Sequence, residues 1–277
     1  MGAGIFMLIF MKKHYKAVII FLVMVMLIAV AAVFGYRRHI QNVIEQAYSV
    51  PLISTAQLEK AESSKADKLM IVAHPDDEVL WGGGHLYDGG YLVVCVTGGR
   101  NETRAGEFRC VIKASGNECI ILDYPDKVNG KRDTWEQVSA GIRSDLEKIM
   151  TCKEWNTIAV HNQKGEYGHT HHINLHGYVT EIYDRDNIGG ELYCFGRYYK
   201  KSRIEQVKDG IPKMTEERYN FKEKLAGMYT SQQKTISKLW HMAWYEDWAL
   251  YERFSEHPEF ANSAGNDLIG AVANETE

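Results

Sequence analysis

Four short apolar runs separated by segments of helical character constrain this chain more than any other feature. Residues 69–73 (LMIVA), 91–97 (YLVVCVT), 119–122 (CIIL) and 157–160 (TIAV) are nearly continuous hydrophobic, largely β-branched stretches. A strand with one wet face alternates apolar and polar residues, whereas a strand buried on both faces reads as an unbroken apolar run. Between these runs, residues 102–115 and 134–150 read as helices. In the second of them Val138, Ile142, Leu146 and Ile149 recur at spacings of three and four and make one apolar face. Strands alternating with helices imply βαβ units, so the pattern predicts an α/β domain with a parallel, doubly wound sheet and helices on both faces. A chain of 277 residues that is 45% hydrophobic has enough apolar material for one such core.

The sharpest compositional break lies upstream, where residues 17–36 run for 20 positions without a charge. At ~1.5 Å rise per residue a helix of that length reaches across a ~30 Å hydrocarbon layer. The run therefore reads as a single transmembrane helix. Lys12, Lys13 and Lys16 precede it and Arg37 and Arg38 follow, an imbalance that favours an inside N-terminus and a downstream domain outside the cell membrane. A cleaved signal peptide is the competing reading, since Ala29-Val30-Ala31 resembles a small-residue cleavage site; the apolar core of a cleaved signal is shorter, about 7–15 residues. The expected organisation is a cytoplasmic segment at 1–16, with Met11 as an alternative start, an anchor at 17–36, a polar stalk or short helix at 37–66, a catalytic domain at 67–254, and a loosely ordered tail at 255–277. The net charge of -4 offers no basic excess to a phosphate backbone, which excludes nucleic acid as the expected partner. The five cysteines are odd in number and lack a CxxC pair, so they read as buried thiols and not as a disulfide framework or zinc ribbon.

In open α/β sheets ligands bind beyond the carboxyl ends of the strands, so chemistry is expected in the loops after the apolar runs. The first such loop is His74-Pro75-Asp76-Asp77-Glu78, one imidazole and three carboxylates leaving a strand in a single turn that Pro75 stiffens. The fourth run leads into a segment in which His161, His169, His171, His172 and His176, five of the 11 histidines, fall together. Imidazole and carboxylate suit zinc, and a catalytic zinc site takes three protein ligands and leaves one position open. One His and one Asp from the first loop with one His from the second would supply that set. His169 and His172 are three apart, and His172 and His176 four apart, so either pair can share a helix face. Spacing does not choose between them. Either loop alone could be an ordinary solvated turn or a surface histidine cluster; both at the ends of parallel strands point to a site. The glycines at Gly82–Gly84 and Gly98-Gly99 do not make a dinucleotide fingerprint, because the first run enters HPDDE and not GxGxxG.

These residues resemble a known family. AHPDDE at 73–78 with GEYGHTHH at 165–172 is similar to the PIG-L/LmbE-like family of zinc-dependent N-acetylglucosaminyl deacetylases. The likeness continues through VTGG at 96–99, Arg104 and Glu107, Tyr124-Pro125-Asp126, and KLAGMYTSQ at 224–232, and so covers roughly residues 68–254. It implies a Rossmann-like, mostly parallel sheet and a hydrolase that removes an acetyl group from an N-acetylated amino sugar in a glycan or glycolipid. It further implies zinc, with ferrous iron as the alternative, held by His74, Asp77 and His172. Asp76 would then be the general base, His169 would stabilise the tetrahedral intermediate as a cation, and Arg104 would lie near substrate. Thr170-His171 stands where the family often has Pro-Asp. Asp76 could instead orient His74 as an acceptor, and Glu78 is expected to brace the turn.

Competing functions are a zinc amidase acting on another amide, such as a thiol conjugate, and an inactive carbohydrate-binding surface protein. Retention of Asp76 beside a complete ligand set argues against the last. Trp240, Trp244 and Trp248 recur every four residues, a stripe that reads as packing before it reads as a sugar platform. Lys200-Lys201 and the lysines at 222 and 224 read as solvated charge.

Overall fold

The sheet is built where the apolar runs place it. In the computed structural model, which describes residues 2–252 with side chains from Tyr15 onward, β1 (Lys68–Val72), β2 (Tyr91–Thr97), β3 (Glu118–Tyr124), β4 (Thr157–Val160), β5 (Glu191–Cys194) and β6 (Ala249–Leu250) form one sheet. The tail expected at 255–277 lies outside the described residues. Strand order is β3-β2-β1-β4-β5-β6, parallel except for β6, which pairs antiparallel with β5. Every residue of β2 is buried, as are all but the first of β1 and β4. This explains the unbroken apolar runs: strands covered on both sides have no face to leave polar.

Alternate residues serve opposite faces. Met70 and Val72 of β1 join a cluster with Val79 and Leu80 of α3 (Asp77–Gly82), Phe108, Val111 and Ile112 of α4 (Glu102–Ala114), and residues further along the chain. Leu69 and Ile71 are equally buried, as are Ile142, Leu146 and Ile149 of α5 (Ser139–Thr151) and Leu175 and Val179 of α6 (Thr170–Arg185). Further along the chain are α7 (Lys201–Val207), α8 (Glu216–Gly227) and α9 (Gln233–Leu239).

Between β1 and β4 the winding reverses: the chain runs outward from β1 to β2 and β3, then returns to pair β4 with the other side of β1. The register Leu69↔Ile158 and Ile71↔Val160 brings the two strands to the same edge together. Their outgoing loops therefore face each other at a topological switch point, where α/β sheets bind ligands.

Two segments differ from the sequence reading. The helix expected from 134 begins at Ser139, because Trp135 adopts φ 63° and buries its ring with Nε1 donating to the Pro125 carbonyl at 2.8 Å. Upstream, α1 (Gly2–Tyr48) is one continuous helix that outlasts the apolar run. Its part from Tyr15 to Tyr48 contains a window of mean hydropathy 3.3 with none of it buried, long and apolar enough to cross a membrane. α1 belongs to one compact unit, while the chain from Val50 onward, residues 127–131 apart, forms another. Within that second unit, part of the segment read as a stalk or short helix is helical, forming α2 (Thr55–Ser63), which opens with a capping box between Ser54 and Gln57. Its Ala61 is fully buried, and Lys60 Nζ donates to the Cys119 carbonyl of β3 at 2.7 Å. All five cysteines are free; Cys95 and Cys194 are buried, but Cys110 is exposed on α4, against the expectation of a buried thiol.

Candidate active site

The turn after β1 is strained and firmly held. Asp76 has φ 117°, a left-handed conformation that costs a non-glycine residue about 1–3 kcal/mol and persists only where surroundings enforce it. The enforcement comes from its neighbours: His74 N–H donates to Asp77 Oδ2 at 2.8 Å, and Asp76 N–H donates to Glu78 Oε2 at 3.2 Å. Glu78, wholly buried, also accepts from the Tyr229 hydroxyl at 2.5 Å, so it braces the turn. Gly98, at φ 91°, gives Pro75 its place, since a Cβ there would stand 2.9 Å from Pro75 Cγ. Gly98 thus makes room for the turn.

The second loop is organised by Glu166, to which the sequence reading gave no role. Its Oε1 accepts from Asn162 N–H at 3.0 Å, and its Oε2 accepts from His161 Nδ1 at 3.0 Å and His172 Nδ1 at 2.5 Å. One buried carboxylate thereby ties the end of β4 to the first turn of α6. His161 Nε2 in turn accepts from Ala73 N–H at 3.1 Å, which links both loops. The available signal was a carboxylate five and six residues from two histidines, but only the fold turns that spacing into a contact.

Three ligand-type atoms converge in the middle. His74 Nδ1 lies 3.1 Å from Asp77 Oδ2, His172 Nε2 lies 3.2 Å from the same oxygen, and the two imidazole nitrogens are 3.4 Å apart. A tetrahedral zinc with ligands at about 2.0–2.2 Å separates neighbouring ligand atoms by about 3.3 Å, so this triangle has the size of one face of such a site. Since a carboxylate only accepts, His172 must carry a proton on Nδ1 toward Glu166, so Nε2 is the nitrogen that would turn a lone pair to an ion in the triangle. All three residues are buried. His176 is elsewhere: its Nδ1 bonds the His161 carbonyl at 2.9 Å and sits 3.7 Å from Cys194 Sγ. The structure therefore groups His172, and not His176, with the first loop. On the other edge of the His74 ring, Nε2 faces His171 Nδ1 at 2.9 Å and Asp126 Oδ1 at 3.6 Å.

Asp76, Asp77 and Glu78 are buried side by side, and their proton affinities diverge. Burial and the adjacent Asp77 charge push Asp76 well above the carboxylate range, against the pull of Arg104. Burial would raise Asp77 too, but His172 and His74 outweigh it and hold Asp77 well below its ordinary value. His172 shows the converse: burial opposes its proton, yet Asp77 and Glu166 raise it to about 10. A site that retains a proton so strongly between two carboxylates is a site for positive charge. Burial, then the neighbouring His172 and His74, depress His169 far below the histidine range. Its Nδ1 is buried and has no hydrogen-bond partner among the described residues.

Arg104 reaches the site from α4, whose first turn is capped by Asn101 Oδ1 accepting from Arg104 N–H at 3.1 Å. Its guanidinium donates to the Pro75 carbonyl at 3.0 Å and Asp126 Oδ2 at 3.2 Å, with Asp76 Oδ1 at 3.8 Å. Tyr167 is 42% exposed, with its ring 6.0 Å from His169, 6.2 Å from Trp81 and 5.8 Å from Tyr198, an aromatic wall beside the imidazoles. The tryptophan stripe is spent on packing: Trp244 stacks on Tyr219 at 3.8 Å, and Trp248 stacks on His85 at 3.6 Å. Lys222 is not solvated. It is fully buried, with Nζ donating to Glu246 at 2.7 Å and to the Leu80 carbonyl of α3 at 2.9 Å.

Residues 69–183, which contain the whole of both loops, match the family described as PIG-L: GlcNAc-PI de-N-acetylase. An uncharacterized protein of Acanthamoeba polyphaga mimivirus is 30% identical over 209 residues, covering 69% of this chain and 83% of that relative. Among solved structures, the A40926 pseudoaglycone deacetylase Dbv21 has a TM-score of 0.48 at 18% identity, over 74% of this chain and 93% of that one. The N,N'-diacetylchitobiose deacetylase from Pyrococcus horikoshii has a TM-score of 0.43 at 16% identity, over 75% and 96%. With the matched segment running from β1 through the His74 turn to α6 and its His169-to-His172 cluster, the chain belongs to the PIG-L/LmbE-like family of deacetylases.

Proposed function

We propose that this chain hydrolyses the N-acetyl group of an amino-sugar-containing substrate, a glycan or glycolipid, and that His74, Asp77 and His172 hold the zinc ion it needs. The observation that carries the reading is the triangle of His74 Nδ1, Asp77 Oδ2 and His172 Nε2, three buried ligand atoms at mutual distances of 3.1–3.4 Å. Without an ion the Asp77 charge is met by the proton that His172 retains, so the pocket beside Asp77 is built to hold positive charge. Bound there, zinc supplies Lewis acidity toward an acyl oxygen and toward water.

The remaining steps belong to the chain. Asp76, next to the triangle and buried, would accept the proton of the attacking water and return it to the departing amine as the C–N bond breaks, a task that suits a carboxylate of raised proton affinity. His169, whose ring centroid is 4.7 Å from that of His74 and 4.3 Å from that of His172, is placed to present an N–H to the oxygen of the tetrahedral intermediate. Arg104 fixes the Pro75 carbonyl and Asp126 on the substrate side of the turn. α1 would anchor the enzyme as a single-pass protein of the cell membrane, with the N-terminus inside and the catalytic domain outside, within reach of envelope glycans or glycolipids.

The test is metal analysis of the purified chain together with acetate release from a panel of N-acetylated sugars. One equivalent of zinc and acetate as the released acid are expected. A chain without bound metal, or one that releases other acids and no acetate, would overturn the reading.

A further inference from the structure

We infer that His171 is a positioning residue for the metal centre: it holds the proton of His74 on Nε2 and so keeps Nδ1 free to bind the ion. This rests on the proposed ligand set but assigns a role to a residue outside it. The argument starts at the far end of a short chain of hydrogen bonds. His171 is wholly buried, and its Nε2 lies 2.7 Å from the Asp133 carbonyl. A carbonyl only accepts, so His171 Nε2 carries hydrogen. Among the described residues the ring bonds to no carboxylate, and as a neutral imidazole it leaves Nδ1 as an acceptor. That acceptor is 2.9 Å from His74 Nε2, which must therefore donate. The His74 proton is thereby placed on the nitrogen that faces away from Asp77 and His172.

The alternative tautomer is close at hand. With the proton on Nδ1, His74 would donate to Asp77 Oδ2 at 3.1 Å and fill the triangle with hydrogen instead of metal. Asp126 Oδ1, 3.6 Å from His74 Nε2, is too far for a hydrogen bond of its own and is already engaged through its other oxygen by Arg104. His171 is thus the group that decides between the two states. The fold holds it rigidly: Trp135 stacks on its ring at 4.1 Å with an interplanar angle of 5°, and Trp135 is itself fixed by its bond to the Pro125 carbonyl and by its N–H to Asp133 Oδ1 at 2.7 Å. The φ of 63° at Trp135, which delays α5, is what brings the Asp133 carbonyl and the indole to the same imidazole.

Two variants of the full-length chain in detergent test the role. His171→Phe keeps a flat ring against Trp135 and removes both nitrogens. His171→Asn keeps an acceptor at the position of Nδ1. Ring nitrogen-15 shifts of His74 in the metal-free wild type are expected to report the Nε2-protonated form. Zinc affinity, measured by competition with a chelator, is expected to fall by about 10–100-fold in His171→Phe, the range for losing such a partner, and to recover most of that loss in His171→Asn. An Nδ1-protonated His74 in the wild type, zinc binding by His171→Phe equal to wild type, or an Asn variant as weak as the Phe variant would each overturn the inference. If the Phe chain does not fold, the wild-type tautomer and the Asn variant still decide it. Failure of the wild type to bind zinc refutes the proposed function, whereas equal binding by wild type and His171→Phe refutes only the role of His171.

Discussion

Asp76 and Asp77 are adjacent, equally buried, and opposite in proton affinity, because only one of them faces two imidazoles. Sequence placed both in the turn, but the left-handed backbone at Asp76 is what sends the two carboxylates to different partners. The division makes separable predictions. Asp76→Ala should retain one equivalent of zinc while lowering kcat by a factor on the order of 10² or more; metal content and turnover measured on the same preparation check it, and a variant that loses metal yet keeps its rate per bound ion would reverse the roles. His172→Ala should lose the metal, and His176→Ala should keep it, because His176 bonds the His161 carbonyl and Cys194 instead of facing Asp77. Metal analysis of the two variants side by side settles the choice that spacing alone left open. His169, expected from the resemblance to act as a cation, is held far below the histidine range by burial and by His172 and His74. The rings of His74, His172 and His171 surround it, and no carboxylate bonds to its Nδ1 among the described residues.

α3 is a helix of six residues that carries Asp77 and Glu78, too short to stand on its own cooperativity, and its stability is supplied from far along the chain. Lys222 of α8 donates to the Leu80 carbonyl near its C-terminal end, and Glu246 accepts from Gly84 N–H at 2.9 Å, from His85 Nδ1 at 2.8 Å and from Lys222. Removing the cation alone leaves a buried carboxylate unpaired, so Lys222→Met should cost about 3–5 kcal/mol in denaturant unfolding. The double variant Lys222→Met with Glu246→Leu should regain much of that loss. The same pair gives a pH dependence. Burial would raise Glu246, but Lys222 and His85 hold it at about 2 against an ordinary 4.5. Between those values the unfolded chain binds the proton and the folded chain does not, so this contribution to stability is complete above about pH 4.5 and is lost as pH falls through 2. Unfolding curves across that window should show the loss, and Lys222→Met should flatten it. A lysine read as solvated from its neighbours in sequence proves to be a strut, since its partner lies 24 residues away.

At the scale of the molecule, the chain combines an exposed apolar helix with a sheet whose switch point carries the site. The helix predicts behaviour on its own: the protein should stay in the membrane fraction through an alkaline carbonate wash and leave it with detergent, and a chain lacking residues 1–36 should not sediment with membranes. N-terminal sequencing that begins after Ala31 would mark the segment as cleaved. The α/β class, the four central strands and the two chemical loops were legible without a structure, because burial on both faces writes itself as unbroken apolar runs and because ligands sit at strand ends. β5 and β6 were not, being short and partly exposed at one edge. Local pattern determined which segments form strands and which residue types leave them. Only the tertiary structure decided which histidine faces Asp77, that Glu166 joins His161 to His172, and which nitrogen of His74 points inward. Those outcomes depend on register, backbone handedness and hydrogen-bond direction between residues up to 98 positions apart, and distances of that kind leave no periodicity in a sequence.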